Sequence, residues 1–455
     1  MNAISMKTRV KTIAAICFVA FAPVASAETL ADALTHAYDH SGLIEQNRAL
    51  LRAADEDVAQ AVAATLPVIS WSATASATGP RTAGVDMLAA SANISANLVI
   101  YDSGANQLAI DAQKELVLGT RQSLRNIEQQ VLLRAVEAYM DVRRNSEFVG
   151  LRENNVRVIT QEFRAAQDRF EVGEVTRTDV SLAEARLAAA RSLLASAQGN
   201  LAQSGEEFRA AVGRGPGQLQ PVSAAPASRS IADAKAYAVR NHPTMLEAQY
   251  GVSAAELNIR RAEAANNPTV SLGAQVGVDD DANFAQQLGV TLSGPIFQGG
   301  RLSSVVRQFM ARRDAARAGL HITRHGIEQQ VGNAYSFLEV ARASREASEQ
   351  QIRAATVAFR GVREEATLGA RTTLDVLNAE QELLDARANQ ISAQADEVIA
   401  SYTLLSATGL MTAEHLQLPV QQYDPSAYYN LVKDAPTSTS DQGAALDRVL
   451  RAIGD

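Results

Sequence analysis

The sequence predicts a mainly α-helical protein with a small β part, built as a duplicated unit of helix, β-hairpin and long helical hairpin. Three observations carry this. Two halves of about 200 residues repeat one plan at nearly constant offset; a stretch of about 70 residues in each half is free of proline and helical in pattern; and four short segments alternate with period two.

The N-terminus reads as a targeting segment. Lys7, Arg9 and Lys11 precede an apolar run over residues 13–24, then Ala25-Ser26-Ala27. Basic, apolar and small residues in that order predict a cleaved secretory signal over residues 1–27, with Glu28 as the mature start. The run is too short to span a bilayer as a helix, and Ile16 before Cys17 is bulkier than a lipidation signal prefers. Cys17 is the only cysteine, so the mature chain has none and is held by packing rather than disulfides. With 39 basic against 50 acidic residues, its formal charge is −11, which disfavours nucleic acid as a partner. No later apolar run is long enough for a transmembrane helix, so any membrane insertion must use strands.

The first repeat spans residues 28–213. Thr29-Leu30-Ala31-Asp32-Ala33 opens a helical pattern lasting to about Thr65; at an offset of 201, Ser230-Ile231-Ala232-Asp233-Ala234 opens its twin, closed by Pro268. Two strands follow, expected at about 67–78 and 87–101. Ile69, Trp71, Ala73, Ala75 and Ala77 take one face and Ser70, Ser72, Thr74, Ser76 and Thr78 the other; Ala92, Ile94, Ala96, Leu98 and Ile100 stand against Ser91, Asn93, Ser95 and Asn97. The second repeat, residues 230–418, carries strands at about 268–278 and 284–297 with the same alternation. Neither face is charged. Segments of about ten such residues fit transmembrane strands, with lipid on one face and water on the other, but taken alone they fit better the commoner half-buried soluble sheet.

The helices decide between these. A hairpin over 103–211 has a first arm of about 70 residues, roughly 105 Å at 1.5 Å per residue, longer than any globular domain of this size can surround. Val142, Val149, Val156, Phe163 and Phe170 repeat every seven residues, as do Val180, Leu187, Leu194, Leu201 and Phe208 after the turn. That spacing means coiled-coil packing, and abundant alanine permits a side-by-side wall. The tip is Gly173-Glu174-Val175-Thr176-Arg177-Thr178-Asp179-Val180, tip region 173–179. Gly173 is placed to end one helix and Thr178 or Asp179 to cap the next. It recurs at an offset of 196 as Gly369-Ala370-Arg371-Thr372-Thr373-Leu374-Asp375-Val376, tip region 369–375 of a hairpin over 300–408. Pro216, Pro221 and Pro226 mark a linker over 214–229. The tail, 419–455, loses periodicity, irregular from about 425 to 442 with a short helix over 444–453.

Four strands cannot close into a barrel, and an open edge is not viable in lipid, so several chains must pool them. Eight strands leave a filled lumen, whereas twelve leave a pore.

At this point the sequence resembles the TolC-like family of outer-membrane efflux and secretion channels. The resemblance rests on Gly294-Pro295-Ile296-Phe297-Gln298-Gly299-Gly300, its twin Val99-Ile100-Tyr101-Asp102-Ser103-Gly104, and the two Gly-to-Asp-Val tips. It implies a homotrimer with a twelve-stranded barrel in the outer membrane of a Gram-negative bacterium, continuous with an α-helical barrel in the periplasm. It also implies docking through the tips to a periplasmic adaptor and an inner-membrane pump, in efflux or type I secretion, with no catalytic residue and no cofactor. The residues so implied for docking are Gly173, Val175, Thr176, Gly369, Ala370 and Thr372, beside exposed Val172 and Leu368. For a periplasmic gate they are Thr178, Asp179, Arg371 and Asp375, with Asp375 ringing the closed entrance. Ala366 and Asn378 depart from the family, standing where relatives carry a gating tyrosine and a second acidic ring. The alternative is a soluble periplasmic coiled-coil adaptor or spacer, against which the uncharged strands count.

Three smaller motifs read as ordinary structure. His321 and His325, with Glu328 a turn on, have helical metal-pair spacing but lack the glutamate between them that a metalloprotease uses. Gly213-Arg214-Gly215-Pro216-Gly217 is glycine-rich but follows a helix and precedes no Lys-Ser or Lys-Thr. Trp71 and Tyr101 are expected as interfacial anchors at opposite strand ends, or as packing.

Overall fold

The computed structural model describes residues 28–77, 88–226 and 230–454. Residues 1–27, 78–87, 227–229 and 455 lie outside these, and with them the expected signal, Thr78 and Met87 of the expected strands, and part of the expected linker.

Each repeat begins with two helices where the periodicity suggested one: α1 (Leu30–His40) and α2 (Gly42–Ala63), then α5 (Ile231–Asn241) and α6 (Pro243–Ala264). The break follows from local chemistry. Ser41 takes extended dihedrals and its hydroxyl accepts the Ile44 amide, restarting the helix. In the second repeat His242 caps and Pro243 sits at the first helical position.

The strands are β1 (Val68–Ala77), β2 (Leu88–Tyr101), β3 (Thr269–Asp279) and β4 (Phe284–Ser293). They form one antiparallel sheet in the order β1-β2-β3-β4, so β2–β3 joins the repeats and β1 and β4 are free edges. β4 stops at Ser293, short of the expected 297, because Gly294-Pro295 turns the chain beside Pro268 and proline offers no amide to the ladder. Register sets apolar residues in rows: Trp71, Ile94 and Val276 stand side by side, as do Leu98, Leu272 and Val290. The other face is polar and cross-bonded. Ser70 and Ser95 hydroxyls lie 2.9 Å apart, and Gln275 Nε2 donates to Asn93 Oδ1 at 3.2 Å. The apolar face is open, with Trp71 at 80 % and Leu288 at 75 % exposure.

Trp71 faces Ile94 at the middle of β2, so it is not at a strand end; Tyr101 alone stands at the helix-proximal margin. Ile296 and Phe297, just beyond β4, are almost fully exposed at that same margin.

The long helices are α3 (Ala105–Glu171) and α7 (Arg301–Thr367), 67 residues each and so about 100 Å long. Their return arms are α4 (Arg177–Val212) and α8 (Thr373–Ala407). Near the sheet the packing order is α2-α3-α6-α7; toward the tips it is α4-α3-α8-α7. This is a wall rather than a central seam, with α3 flanked on both sides and α7 on one. The heptad residues grade along it. Val142 is buried, Val149, Val156 and Phe163 are half-buried, and Phe170 at the tip end is exposed.

The main core lies where α1, α3, α4 and the segment after α8 meet, around fully buried Tyr139, Phe208 and Met411. The linker straps this region: Tyr139 Oη lies 2.9 Å from the carbonyl oxygens of both Glu28 and Gln220, and Glu28 pairs with Leu219 as a parallel bridge. The glycine-rich 213–217 turn cradles a carboxylate of its own chain. Glu28 receives Arg214 at 2.7 Å and the Gly217 amide at 3.2 Å. The tail is more ordered than expected. α9 (Ala427–Val432) forms inside the supposed irregular stretch and packs on α2, with Tyr428 donating to Glu56 at 2.6 Å; α10 (Asp441–Gly454) closes the chain.

Candidate functional site: the helical tips

Both tips end their long helix in the same way. Gly173 has φ 79° and Gly369 φ 77°, the left-handed region where other residues are strained. The Gly173 amide donates to Phe170 O at 3.0 Å and the Glu174 amide to Arg169 O at 2.9 Å; Gly369 and Ala370 repeat this with Ala366 and Glu365. This is a Schellman turn, which satisfies carbonyls left over at the helix end.

The caps of the return arms correct the expectation from sequence. Thr176 and Thr372 are the N-caps, not Thr178, Asp179 or Asp375. The Asp179 and Asp375 amides donate to the threonine hydroxyls at 3.3 and 3.2 Å. Their carboxylates reach back to the threonine amides at 2.9 and 3.0 Å. Threonine and aspartate three apart form a reciprocal capping box, and that pairing places the cap two or three residues earlier. Thr178 falls in the first turn. Hydrogen bonds from Thr176 hold the Asp179 carboxyl below the usual range; bonds from Thr372, with some help from Arg371, do the same for Asp375.

The surface presented is mixed. Val172 and Leu368 are 72 % and 84 % exposed, while Gly173, Thr176, Gly369, Ala370 and Thr372 are exposed and Val175 is half-buried. A Cβ built on either tip glycine would meet no atom within 4 Å. Arg371 pairs with Glu365 across the second turn at 2.8 Å; within one chain it does not reach Thr178 or Asp179. Glu365 escaped sequence reasoning because the intervening turn hides a six-residue spacing that no helix brings together. The first repeat has Arg169 and Val175 at the matching places, so this charge pair belongs to the second tip alone.

Behind the tips, Asn378, the departure from the acidic ring, accepts from Arg186 at 3.3 Å, linking α8 to α4. The His321–His325 pair is exposed. Glu328 there is held by Arg324 at 3.0 Å and lies 3.6 Å from His325, which makes an ordinary surface ion cluster. No helix among the described residues is long and apolar enough to cross a membrane.

A sheet with an apolar face and two free edges, continuous with 100 Å helical hairpins, defines a class: channel-forming proteins that pool strands in a membrane. The family model described as outer membrane efflux protein matches residues 34–214 and 237–410. The chain is 38 % identical to outer membrane efflux protein BepC of Brucella suis, over 90 % of this chain and 91 % of that protein. Outer membrane protein TolC of Escherichia coli is 23 % identical over 90 % and 88 %. The crystal structure of the CmeC outer membrane channel of Campylobacter jejuni superposes with a TM-score of 0.76, covering 90 % of each chain at 14 % identity, a likeness of fold. The chain therefore belongs to the outer membrane efflux protein family. It is an outer-membrane channel protein of Gram-negative type, and its helical hairpins form the periplasmic extension.

Proposed function

We propose that three copies of this chain assemble into a passive exit duct, with twelve strands in the outer membrane and twelve long-hairpin helices around a periplasmic tunnel. The observation that carries this is the open-edged sheet: its apolar face and two unpaired margins require partners in lipid. The internal duplication supplies the join. If the β2–β3 contact between repeats recurs between chains, β4 pairs with β1 of the next copy, α7 meets its α2 and α4, and both edges are consumed. Three copies give twelve strands and an open lumen, whereas two give a filled one.

In this reading no catalytic step occurs in the chain, and the energy comes from an inner-membrane pump reached through a periplasmic adaptor. The tips dock the adaptor, with Val172, Gly173, Val175 and Thr176 on one hairpin and Leu368, Gly369, Ala370 and Thr372 on the other. Asp375 rings the periplasmic entrance, and Thr178, Asp179 and Arg371 hold neighbouring hairpins together when it is shut. Efflux is favoured over protein secretion by the match to an efflux protein along nine-tenths of both chains. The test is reconstitution of the purified mature protein into planar bilayers. Ion conductance from a trimer supports the duct, and a water-soluble monomer that never inserts refutes it.

A further inference from the structure

Five residues along α8 from Asp375, Glu380 is only 7 % exposed. It lies on the α3–α8 seam, the contact that joins the two hairpins toward the tips. Its Oε1 accepts from Asn155 Nδ2 of α3 at 3.2 Å, while Oε2 is buried with no protein partner. Glu380 borders a cavity of about 210 Å³ among α3, α7 and α8. The charged groups facing it are Glu162 from α3, Arg363 from α7 and, on its own helix, Arg387. Glu162 and Arg363 lie 3.7 Å apart and so answer mainly each other. One turn closer to the tip on α8, Leu377 seals the seam against Ile159, Leu187 and Ala190.

A buried carboxyl with one oxygen unanswered is stable there only with its proton on. We propose that Glu380 is a proton-operated latch on the α3–α8 seam: protonated, it keeps the hairpins packed, and ionised, it favours the parted, hydrated seam of an open periplasmic entrance. This rests on the gated-duct reading above. Burial, with Glu162 adding to it, pushes the carboxyl from its ordinary 4.5 to about 7, against the opposing pull of Asn155 and Arg363. Parting the seam wets the carboxyl and returns it toward 4.5. The closed state therefore holds the proton more tightly. Its advantage is complete below about 4.5, falls as pH rises, and is gone above about 7. The gap between the two values caps the change in the closed-to-open ratio at on the order of 10²-fold per latch. Asp375 cannot supply the same step, because its carboxyl is held below the usual range.

The test is single-channel recording of the full-length channel in planar bilayers from pH 4 to 8, for wild type, Glu380→Gln and Glu162→Gln. Wild-type open probability should rise across the window between about 4.5 and 7. Glu380→Gln keeps the shape and the Asn155 bond without a proton to lose, so it should stay at the acid-like level throughout. Glu162→Gln removes a neighbouring negative charge and frees Arg363, so the midpoint should fall; this arm stands even if the glutamine variant fails to assemble. A wild-type profile flat across the window, a step retained in Glu380→Gln, or an unmoved midpoint in Glu162→Gln overturns the latch while leaving the duct standing. Absence of any conductance in wild type would refute the duct itself, and the latch with it.

Discussion

The register between neighbouring copies can be worked out from one chain, and a disulfide can test it. The β1–β2 hairpin pairs Val68 with Asn97, and the β3–β4 hairpin pairs Thr269 with Ser293. Moving the first pair by the sequence offsets of 201 and 196 lands on the second, so the hairpins are equivalent residue for residue. Between repeats, Ser95 pairs with Gln275 and Ala96 with Ala274. The same transfer puts Thr291 of one copy opposite Thr74 of the next, and Leu292 opposite Ala73. Faces agree, since Thr74 and Thr291 both belong to the polar side. Residues directly opposed in an antiparallel pair have Cα atoms about 4.5–5.5 Å apart, inside the roughly 4.4–6.8 Å a disulfide accepts. A slip of two residues opens this to about 7–8 Å, outside it. The native signal carries the only cysteine, Cys17, so the mature background is clean. Thr74→Cys with Thr291→Cys should give covalent dimers and trimers on a non-reducing gel, ending at the trimer. Thr74→Cys with Ser293→Cys, slipped by two on the same face, should stay monomeric. Equal cross-linking in both, or a ladder running past three, would show that the repeat does not dictate the join.

Four further outcomes follow from the tips. Gly173→Arg or Gly369→Arg meets open space but a left-handed backbone, so each should cost about 1 kcal/mol locally, leave a folded trimer by gel filtration, and abolish export. Thr176→Ala removes the cap hydroxyl and should destabilise the first turn of α4 by about 1 kcal/mol, read as faster amide exchange over 177–180. Both tip aspartates have lowered pKa values, so their contribution is present above the ordinary 3.8 and is lost below it, as pH falls through the lowered folded-state values; tip amides should exchange faster, beyond the intrinsic pH effect, on acidification below 3.8. In bilayers, Asp375→Ala should reduce cation selectivity and Arg371→Ser should raise conductance, and unchanged values in both would remove the gate assignment.

Much of this was legible because the signals were periodic or repeated. A proline-free helical pattern ending at the tip glycine marked α3 to within two residues at each end, and period-two alternation marked all four strands. What escaped was chemistry that acts across a break in period. The corner at Ser41 sits inside an uninterrupted helical pattern and is set by one hydroxyl and an extended backbone. The cap went to Thr176 because the reciprocal bond with Asp179 outranks the aspartate's own preference for the position. α9 is six residues placed by tyrosines: Tyr423, just before it, lies under Arg48 of α2, and Tyr429 within it lies under Arg121 of α3, pairings that span more than 300 residues. Glu380 was visible as a match to Glu184, but its burial was not. Glu184 is exposed on the outer side of α4, and only the α3–α8 seam covers Glu380.

That difference points to how a duplicated chain can form a nearly sixfold tube and still work as a threefold one. Where the repeats agree, in strand register, Schellman turns and capping boxes, they build equivalent walls and tips. Where they disagree near the tips and the α3–α8 seam, polar contacts differ. The Arg371–Glu365 pair has Val175 and Arg169 as its counterparts, so alternate tips differ in polarity. Asn155 beside Glu380 becomes Gln351, exposed on α7 with Asn389 of α8 donating to its Oε1, and the same transfer that aligns the strands carries Glu184 of the next copy toward α7. The scaffold needs only the shared residues to stand. If the proposed entrance opens by moving one hairpin against the other, it needs two unlike seams, and the unshared Arg371–Glu365 pair together with the Asn155-to-Gln351 change makes them unlike.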